Sequence, residues 1–434
     1  MTTHTGARLA DGYRERPLWH DGVVPEVSPG TPAELPPAHC DVVIVGAGYC
    51  GLAAAAGLAA RGRVVTVVDA EPVAARASTR NGGMVIPELK FGPDALRRRH
   101  GARGDALVQH TLDAYAHLRD LVVDEQLDCD WDEHGGLLLA HHPRHVAALE
   151  EDTCEWAARG EPVAFLDREA LRAEIGTDAY FGGFLMERTA GVHPAKLHRA
   201  LLGRAERAGA RVHHGTRVTH IEGQPGEFRV QSTRGAVRAR DVLLAVNAYV
   251  DGAAPSLRRR VLPIGSFVIA SEPLPLELQH AVLPGRRMCF DTKHLLNYWR
   301  LGPEGRIVFG GRASLSRTSV AEARDVLYEQ MVGVHPQLRG TAITHAWGGD
   351  VAVTVDRLPH CGRIDGVAYA TGCNGTGVAL STWFGARAAA WMTGEEEPPA
   401  FAELPFRAIP LRSWRRVWMP PAGRVLRLGD RFGR

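Results

Sequence analysis

The clearest hydropathy signal is the run Asp41-Val42-Val43-Ile44-Val45, nearly all apolar, which predicts a strand covered on both faces of a parallel sheet. Gly46 to Gly51 interrupts it. Leu52 to Arg61 is Ala-rich and helical, Gly62 ends that helix, and Val64 to Val68 predicts a second buried strand. A βαβ unit thus lies within the first 70 residues. Upstream, Met1 to His39 reads as an extended lead-in with an anchor at Pro17-Leu18-Trp19.

From Asp94 to about Gln126 apolar residues recur at three- and four-residue spacings (Leu107, Leu112, Leu118, Leu121), which predicts one long helix. A strand is expected at 135–140, helices at 145–158 and 193–208, and strands at 211–213, 217–221, 228–232 and 237–245. Residues 262–311 read mostly as β, with strands at 266–271, 296–301 and 306–310. Val367 to Thr371 is another buried strand, followed by glycines at 372–377 and a helix to about Met392. Parallel elements near 40–70 and 365–392 enclose antiparallel material, so two spatial domains woven from alternating segments are expected. No repeat or low-complexity array is present.

Composition narrows the function classes. The 434 residues are 45% hydrophobic and 23% charged, ordinary for a globular chain. Lys+Arg is 51 against 49 Asp+Glu, a balance that argues against nucleic acid as a partner. Only Lys90, Lys196 and Lys293 are lysines, so 48 basic residues are Arg. No apolar run is long enough to predict a membrane span, and the first 35 residues have no secretion-signal core. Seven cysteines without a Cys-x-x-Cys pair fit a reducing, cytoplasmic location better than a disulfide framework or zinc ribbon. The cluster His141-His142-Pro143-Arg144-His145 lacks His-Glu-x-x-His spacing, so no metal is expected.

Gly46-Ala47-Gly48-Tyr49-Cys50-Gly51 is G-x-G-x-x-G between a strand and a helix. Its glycines permit a tight turn, close approach of a pyrophosphate and packing of helix on strand, while the helix N-terminus offers free N–H groups. Asp69, followed by Ala70, closes the second strand 18 residues beyond Gly51, where a carboxylate can accept from ribose hydroxyls and disfavours a 2′-phosphate. A dinucleotide is expected; this motif alone does not separate FAD from NAD.

Three further stretches bear on that choice. Ser78-Thr79-Arg80-Asn81-Gly82-Gly83-Met84 suits a loop lying against a cofactor, or a plain polar turn. Gly372-Cys373-Asn374-Gly375-Thr376-Gly377-Val378 is a second strand–glycine–helix junction, whose helix N-terminus would stabilise the electron-rich edge of a reduced flavin. Trp347-Gly348-Gly349 with Asp356-Arg357-Leu358-Pro359-His360-Cys361-Gly362 completes the set.

Together with Val246-Asn247-Ala248-Tyr249, Ile269 to Leu274 and Phe309-Gly310-Gly311-Arg312, these stretches stand in an order that resembles the D-amino-acid-oxidase-like FAD oxidoreductases, in the γ-glutamylputrescine oxidase and sarcosine/glycine oxidase branch, over residues 15–395. The resemblance implies an α/β fold: a glutathione-reductase-like FAD-binding Rossmann domain interwoven with an antiparallel-sheet substrate domain. The expected layout is an N-terminal extension at 1–37, a discontinuous FAD domain at 38–93, 190–261 and 345–400, a substrate domain at 94–189 and 262–344, and a basic tail at 401–434. Gly46 to Gly51, Asp69 and Ala70 would hold the ADP half, Ser78 to Met84 would run beside the pyrophosphate and ring, Val218 would meet the adenine, and Asn247 and Gly372 to Val378 would complete the flavin site. The implied activity is oxidation of an amine or amino acid, with hydride passing from a C–H beside nitrogen to flavin N5 and the imine then hydrolysing. O2 is the expected acceptor; a dehydrogenase using another acceptor is the alternative, and an NAD-dependent oxidoreductase leaves the second glycine junction unexplained. Relatives often carry an aromatic at the position of Cys373 and a His at that of Thr376. No Cys stands in Thr344 to Trp347 and Asn81 occupies the place of a flavin-linking His, so non-covalent FAD is expected.

Tyr298, Arg300, Trp347 and His360 are the candidate substrate-side residues. Tyr298 and Arg300 alternate on one strand face, with Arg300 either a carboxylate ligand or an ion pair within the sheet. Trp347 would wall the flavin or fill the core, and His360 would orient substrate or sit satisfied and buried. Leu404 to Arg434 holds eight Arg and one Asp. A tail packed over the FAD domain with solvated arginines is expected, and contact with an anionic lipid headgroup or a partner is the alternative.

Overall fold

A computed structural model describes residues 6–24, 34–312, 315 and 318–433. Parts of the expected N-terminal extension (1–5, 25–33), a few positions of the substrate segment between 313 and 317, and Arg434 of the tail lie outside the described residues.

The apolar run at 41–45 forms the middle of an eight-stranded sheet. His39–Val45 lies between Val65–Val68 and Gly235–Leu244, with Arg211–His213 beyond the first and Val367–Thr371 beyond the second, all parallel. Helices cover one face and antiparallel strands with residues 250–257 the other, which is why Val43, Ile44 and Val67 are fully buried and the sequence shows no alternation there. The antiparallel strands Val218–Gln224 and Glu227–Ser232 extend one edge, and His360–Ile364 pairs back on Val367–Thr371.

The helix Tyr49–Ala60 is buried on nearly every side, so Ala and Gly suit it better than an amphipathic pattern. It lies against Gly377–Met392 at backbone distance: a Cβ on Gly57 would sit 2.7 Å from that of Ala389, and one on Gly385 2.2 Å from the Cys50 carbonyl oxygen. These small residues bring two helices 320 positions apart in sequence to one end of the parallel sheet.

A nine-stranded sheet forms the second layer. In spatial order it runs Leu9–Arg14, Ile343–Val353, Leu262–Ser271, Ile307–Gly311, Asn297–Leu301, Met288–Asp291, Gly136–Leu139, Gly183–Met186 and Val163–Leu166. Its pairings are antiparallel except at Leu9–Arg14 with Ile343–Val353 and Met288–Asp291 with Gly136–Leu139. The α/β class and the interwoven layout expected from sequence are therefore found.

Several boundaries shift. Ile343–Val353 belongs to the nine-stranded sheet, so the substrate layer extends past 344; part of the lead-in, Leu9–Arg14, is that sheet's edge strand. The long helix expected at 94–126 is two, Pro93–His100 and Ala102–Asp124, broken at Gly101 with φ +61°. The helix Val320–Val334, opened by a Ser319/Glu322 capping box, was not expected. Nor was Arg415–Phe432, where Pro420 and Pro421 inside the helix hide the pattern. The start of the tail packs on the parallel sheet as expected, through Leu404 and Phe406, whereas its helix packs against the nine-stranded sheet through Met419, Leu262 and Ile264.

Burial has a cost at His335. Its ring lies 5.7 Å from Trp299, edge to face, and neither nitrogen has a partner among the described residues. Burial pushes its pKa down to about 3. The unfolded chain takes up a proton there below about pH 6.5 and the native chain does not, so stability falls as pH drops from that point. Between about pH 6.5 and 5 this amounts to about 2 kcal/mol. His335→Leu is expected to flatten the acid limb of urea-unfolding free energy by that amount.

Candidate active site

The two glycine junctions meet. Gly46, Gly48, Tyr49 and Cys50 from the first, and Cys373, Gly375, Gly377 and Val378 from the second, line one cavity of ≈ 1500 Å³ including its open mouth. Gly46 turns with φ +108°, and a Cβ there would lie 2.7 Å from the Ala245 carbonyl oxygen. The helix starting at Tyr49 has Gly48 as its N-cap and the helix starting at Gly377 has Thr376, and neither cap side chain bonds the first turn. Two helix N-termini therefore border one space, the Tyr49 N–H held by Ser78 Oγ at 3.1 Å, an environment for phosphate or an electron-rich ring edge.

At the far side Asp69 lines the cavity with its carboxylate already oriented: Oδ2 accepts from the Ala47 N–H at 2.8 Å and Oδ1 from the Glu71 N–H at 2.9 Å. Ala70, Val218 and Asn247 share that wall. The Asn247 side chain accepts from the Gly372 N–H at 3.1 Å, tying the end of one parallel strand to the second junction. Arg76, Arg217 and Tyr249 also line the cavity, although the sequence reading did not single them out. Arg217 pairs with Glu71 and Asp251 at 3.2 Å, and Arg76 lies over the Tyr249 ring at 4.8 Å.

A second cavity, ≈ 1830 Å³ with its mouth, adjoins the first across Ala77, Asn81, Asp350, Val351, Gly375 and Val378. Asn81 braces the loop between them, donating to the Ala77 and Ser78 carbonyls at 3.1 Å and accepting from the Gly83 N–H at 2.8 Å. Gly82, Met84, Asn374 and Thr376 face the second cavity, and Ser78 faces the first. Ala47, Gly51, Thr79, Gly83 and Gly372 line neither cavity. They shape the turns from behind: Gly51 packs on the Gly46 carbonyl, and the Thr79 hydroxyl is spent on the carbonyls of Ala74 and Arg76.

Both regions match the family model described as "FAD dependent oxidoreductase" (DAO), which spans residues 41–391. The chain belongs to the DAO family of FAD-dependent oxidoreductases. It is 30% identical over 400 residues to gamma-glutamylputrescine oxidoreductase of Escherichia coli (strain K12), covering 91% of this chain and 93% of that protein. It is also 30% identical over 385 residues to a probable oxidoreductase OrdL of Rhizobium meliloti (strain 1021), covering 87% of each. Among solved structures, glycine oxidase from Geobacillus kaustophilus superposes with a TM-score of 0.73 at 22% identity, over 86% of this chain and 99% of that one. Like its family, this DAO member is a flavoprotein that oxidises amines or amino acids.

Of the four substrate-side candidates only Tyr298 lines the second cavity. Its hydroxyl lies 3.3 Å from Ser266 Oγ, and its ring fills space left open by Gly82 and Gly310, where a Cβ would come within 2.8 and 2.3 Å of it. Arg300 is turned inward. Its Nε donates to the Gly82 carbonyl at 3.0 Å, its terminal nitrogen to Val192 at 2.6 Å, and the guanidinium lies over Trp19 at 5.4 Å. Burial lowers its pKa to about 10. It is a clamp on the cofactor-side loop: two of its donors are spent on carbonyls and it lines neither cavity, so it does not face a substrate carboxylate. Arg300→Gln is expected to cost about 2–4 kcal/mol of stability, read by thermal unfolding, and to leave selectivity between carboxylated and uncharged amines unchanged.

Trp347 likewise faces the core. It meets Trp19 edge to face at 6.2 Å and donates to the Arg80 carbonyl at 2.8 Å, positioning the loop without touching either cavity. The anchor at Trp19 is fully buried and donates to the Asn81 carbonyl at 2.9 Å. His360 stacks on Phe406 at 4.1 Å and bonds Asp356 at 3.0 Å, also outside both cavities. Its strand ends at the parallel sheet, which consumes the side chain in packing.

The charged groups that do line the second cavity are Arg80, Lys90, Lys293, Arg312 and Arg357 with Glu88, Asp152, Asp291 and Asp350. Lys293 pairs with Asp291 at 3.3 Å. Arg312 is lowered by burial and by the like charge of Arg357, and it also depresses Lys90, which burial brings to about 8. Among the described residues no carboxylate bonds Arg312 or Arg357. Burial raises Glu88 to about 7 and Asp152 to about 6. Arg312 stood in the Phe309–Arg312 stretch, two positions past Gly310, which pairs with Tyr298; that register was the signal for it. The lysines were a second signal. Two of the three in an Arg-dominated chain lie here, and Lys196 is taken by Asp128 and Asp130.

Proposed function

We propose that this protein oxidises an amine that also bears a carboxylate, and that the carboxylate binds at Arg312 beside Tyr298. The carrying observation is the pair Arg312 and Arg357, which no carboxylate bonds among the described residues, on a cavity that shares a wall with the cofactor-shaped one. Glycine and γ-glutamylputrescine, named in two relatives, are both amines with a carboxylate.

Asp69 would hold the ribose of FAD, the turns at Gly46–Gly48 its pyrophosphate, and the Gly375–Val378 junction its ring; no cysteine in that junction needs to bond it. Bound FAD supplies the acceptor for the hydride of a C–H beside nitrogen. The chain's own part is to bind, orient and deprotonate. Arg312 fixes the carboxylate, and its charge lowers the pKa of the substrate ammonium. Glu88, whose carboxyl burial raises well above the usual range, takes the ammonium proton, leaving the lone pair that drives C–H cleavage. Phe91, Phe184, Phe290 and Trp156 supply apolar walls that exclude water. We place the work in the cytoplasm, supported by seven cysteines that are all unpaired.

The test is anaerobic bleaching of the bound flavin by a panel of N-alkyl amino acids, free amino acids, polyamines and γ-glutamylated amines. Bleaching confined to carboxylated amines supports the reading; bleaching only by plain polyamines overturns it. Air admitted afterwards reads the acceptor: rapid reoxidation marks an oxidase, slow reoxidation a dehydrogenase serving another acceptor.

A further inference from the structure

The helix Arg415–Phe432 presents an apolar stripe to solvent. Trp414, at its N-cap, is 63% exposed, Val417 67%, Val425 67%, Leu428 56% and Phe432 57%. At 100° per residue these five fall within an arc of about 80°, along a helix about 27 Å long. They account for much of the molecule's exposed large apolar surface, the rest being scattered singly.

The helix is fixed by its opposite face, so the stripe is not a core waiting to close. Met419 is buried against Leu262 and Ile264. The Asp430 carboxylate accepts from the His294 and Leu295 N–H groups at 2.6 and 3.1 Å, and Arg412 donates to the Val261 carbonyl at 2.8 Å. Exposed Arg416, Arg424 and Arg431 run along one flank of the stripe and form no ion pair among the described residues. The segment Leu404 to Arg434 carries eight Arg and one Asp.

We infer that this helix docks the enzyme in the interface of an anionic lipid surface, with Trp414, Val425 and Leu428 entering the acyl boundary and the arginine flank on the headgroups. A straight apolar ridge beside unpaired cations matches a flat, negatively charged, apolar-cored partner. A second copy of the chain fits poorly, because stripe-to-stripe packing would set two arginine rows against each other. The helix is tied to the second cavity through His294, which lines it and donates its N–H to Asp430. The docking stands apart from the amine-oxidation reading and is measured without turnover.

The FAD-loaded full chain is sedimented with vesicles of phosphatidylcholine alone or with about 30% phosphatidylglycerol. At low salt most of the protein is expected to pellet with the anionic vesicles and little with the neutral ones, and binding is expected to fall at least about fivefold near 0.5 M NaCl. Two variants, Trp414→Asp/Leu428→Asp and Arg416→Glu/Arg424→Glu/Arg431→Glu, should each lose about tenfold or more in vesicle affinity while keeping the flavin spectrum. Failure of the wild-type protein to bind anionic vesicles overturns the inference, as does binding retained in both variants. A dimer in sedimentation equilibrium that the Trp414/Leu428 variant abolishes assigns the stripe to self-association and overturns it too.

Discussion

Gly51→Ala is expected to give a protein that keeps its secondary structure and loses its yellow colour. A Cβ at position 51 would sit 1.9 Å from the Gly46 carbonyl oxygen and 3.2 Å from the Ile44 side chain. The helix Tyr49–Ala60 must then lift from the strand. It has nowhere to go, because its other face meets Gly377–Met392 at Gly57 and Gly385 with no spare distance. The displacement passes to both helix N-termini at once and widens the turn in which Gly46 and Gly48 face the cavity. Overpacking of this kind costs about 3 kcal/mol in stability, a loss the fold can absorb, whereas binding at helix N-terminal donors depends on their placement to a fraction of an ångström. The expected readout is flavin absorbance after reconstitution below about a tenth of the wild-type value, with far-UV circular dichroism retained. Gly203→Ala serves as the control. Its Cβ meets the far end of the Arg207 side chain at 3.1 Å, outside both cavities, and it should retain flavin.

This sensitivity is also why the cofactor half was legible from sequence. Gly46, Gly48, Gly375 and Gly377 are constrained by backbone geometry, and backbone geometry at a strand–helix junction follows from local sequence. The buried runs at 41–45 and 367–371 were equally plain, because strands covered on both faces are nearly all apolar. The substrate half is built differently. Whether Arg300 or Arg312 faces the cavity depends on how far the nine-stranded sheet reaches past Gly83 and Gly191, which leave space for the Arg300 guanidinium to turn inward. Trp347 and His360 stand in glycine-flanked stretches that look functional. Their positions are decided instead by Trp19 and Phe406, partners more than 300 and about 45 residues away. Long-range choices of this sort leave no local periodicity. The strand Ile343–Val353 was missed for a related reason: its Trp-Gly-Gly centre resembles a turn, and only pairing with Leu262–Ser271 along its length makes it extended.

The exchange of Arg300 for Arg312 has the second large consequence. Arg312→Gln is expected to lower kcat/KM for carboxylated amines by about 10²–10³-fold, because it removes a charge-assisted bidentate contact of about 3–4 kcal/mol in a site that holds water back. Two opposing effects decide how the loss divides. Removing the guanidinium weakens ground-state binding and raises KM. It also removes a positive charge that depresses both Lys90 and the bound ammonium, so the amine keeps its proton to higher pH and kcat falls below the wild-type alkaline limit. The rise of kcat with pH should therefore move to higher pH in the variant. Arg312→Lys keeps the charge and loses the fork, and should recover the pH profile more fully than KM. Plain polyamines, with no carboxylate to lose, should change little in KM in either variant. An Arg312→Gln enzyme with unaltered KM for every carboxylated amine would place the substrate's acid elsewhere, with Arg357 the remaining unpaired cation on that wall.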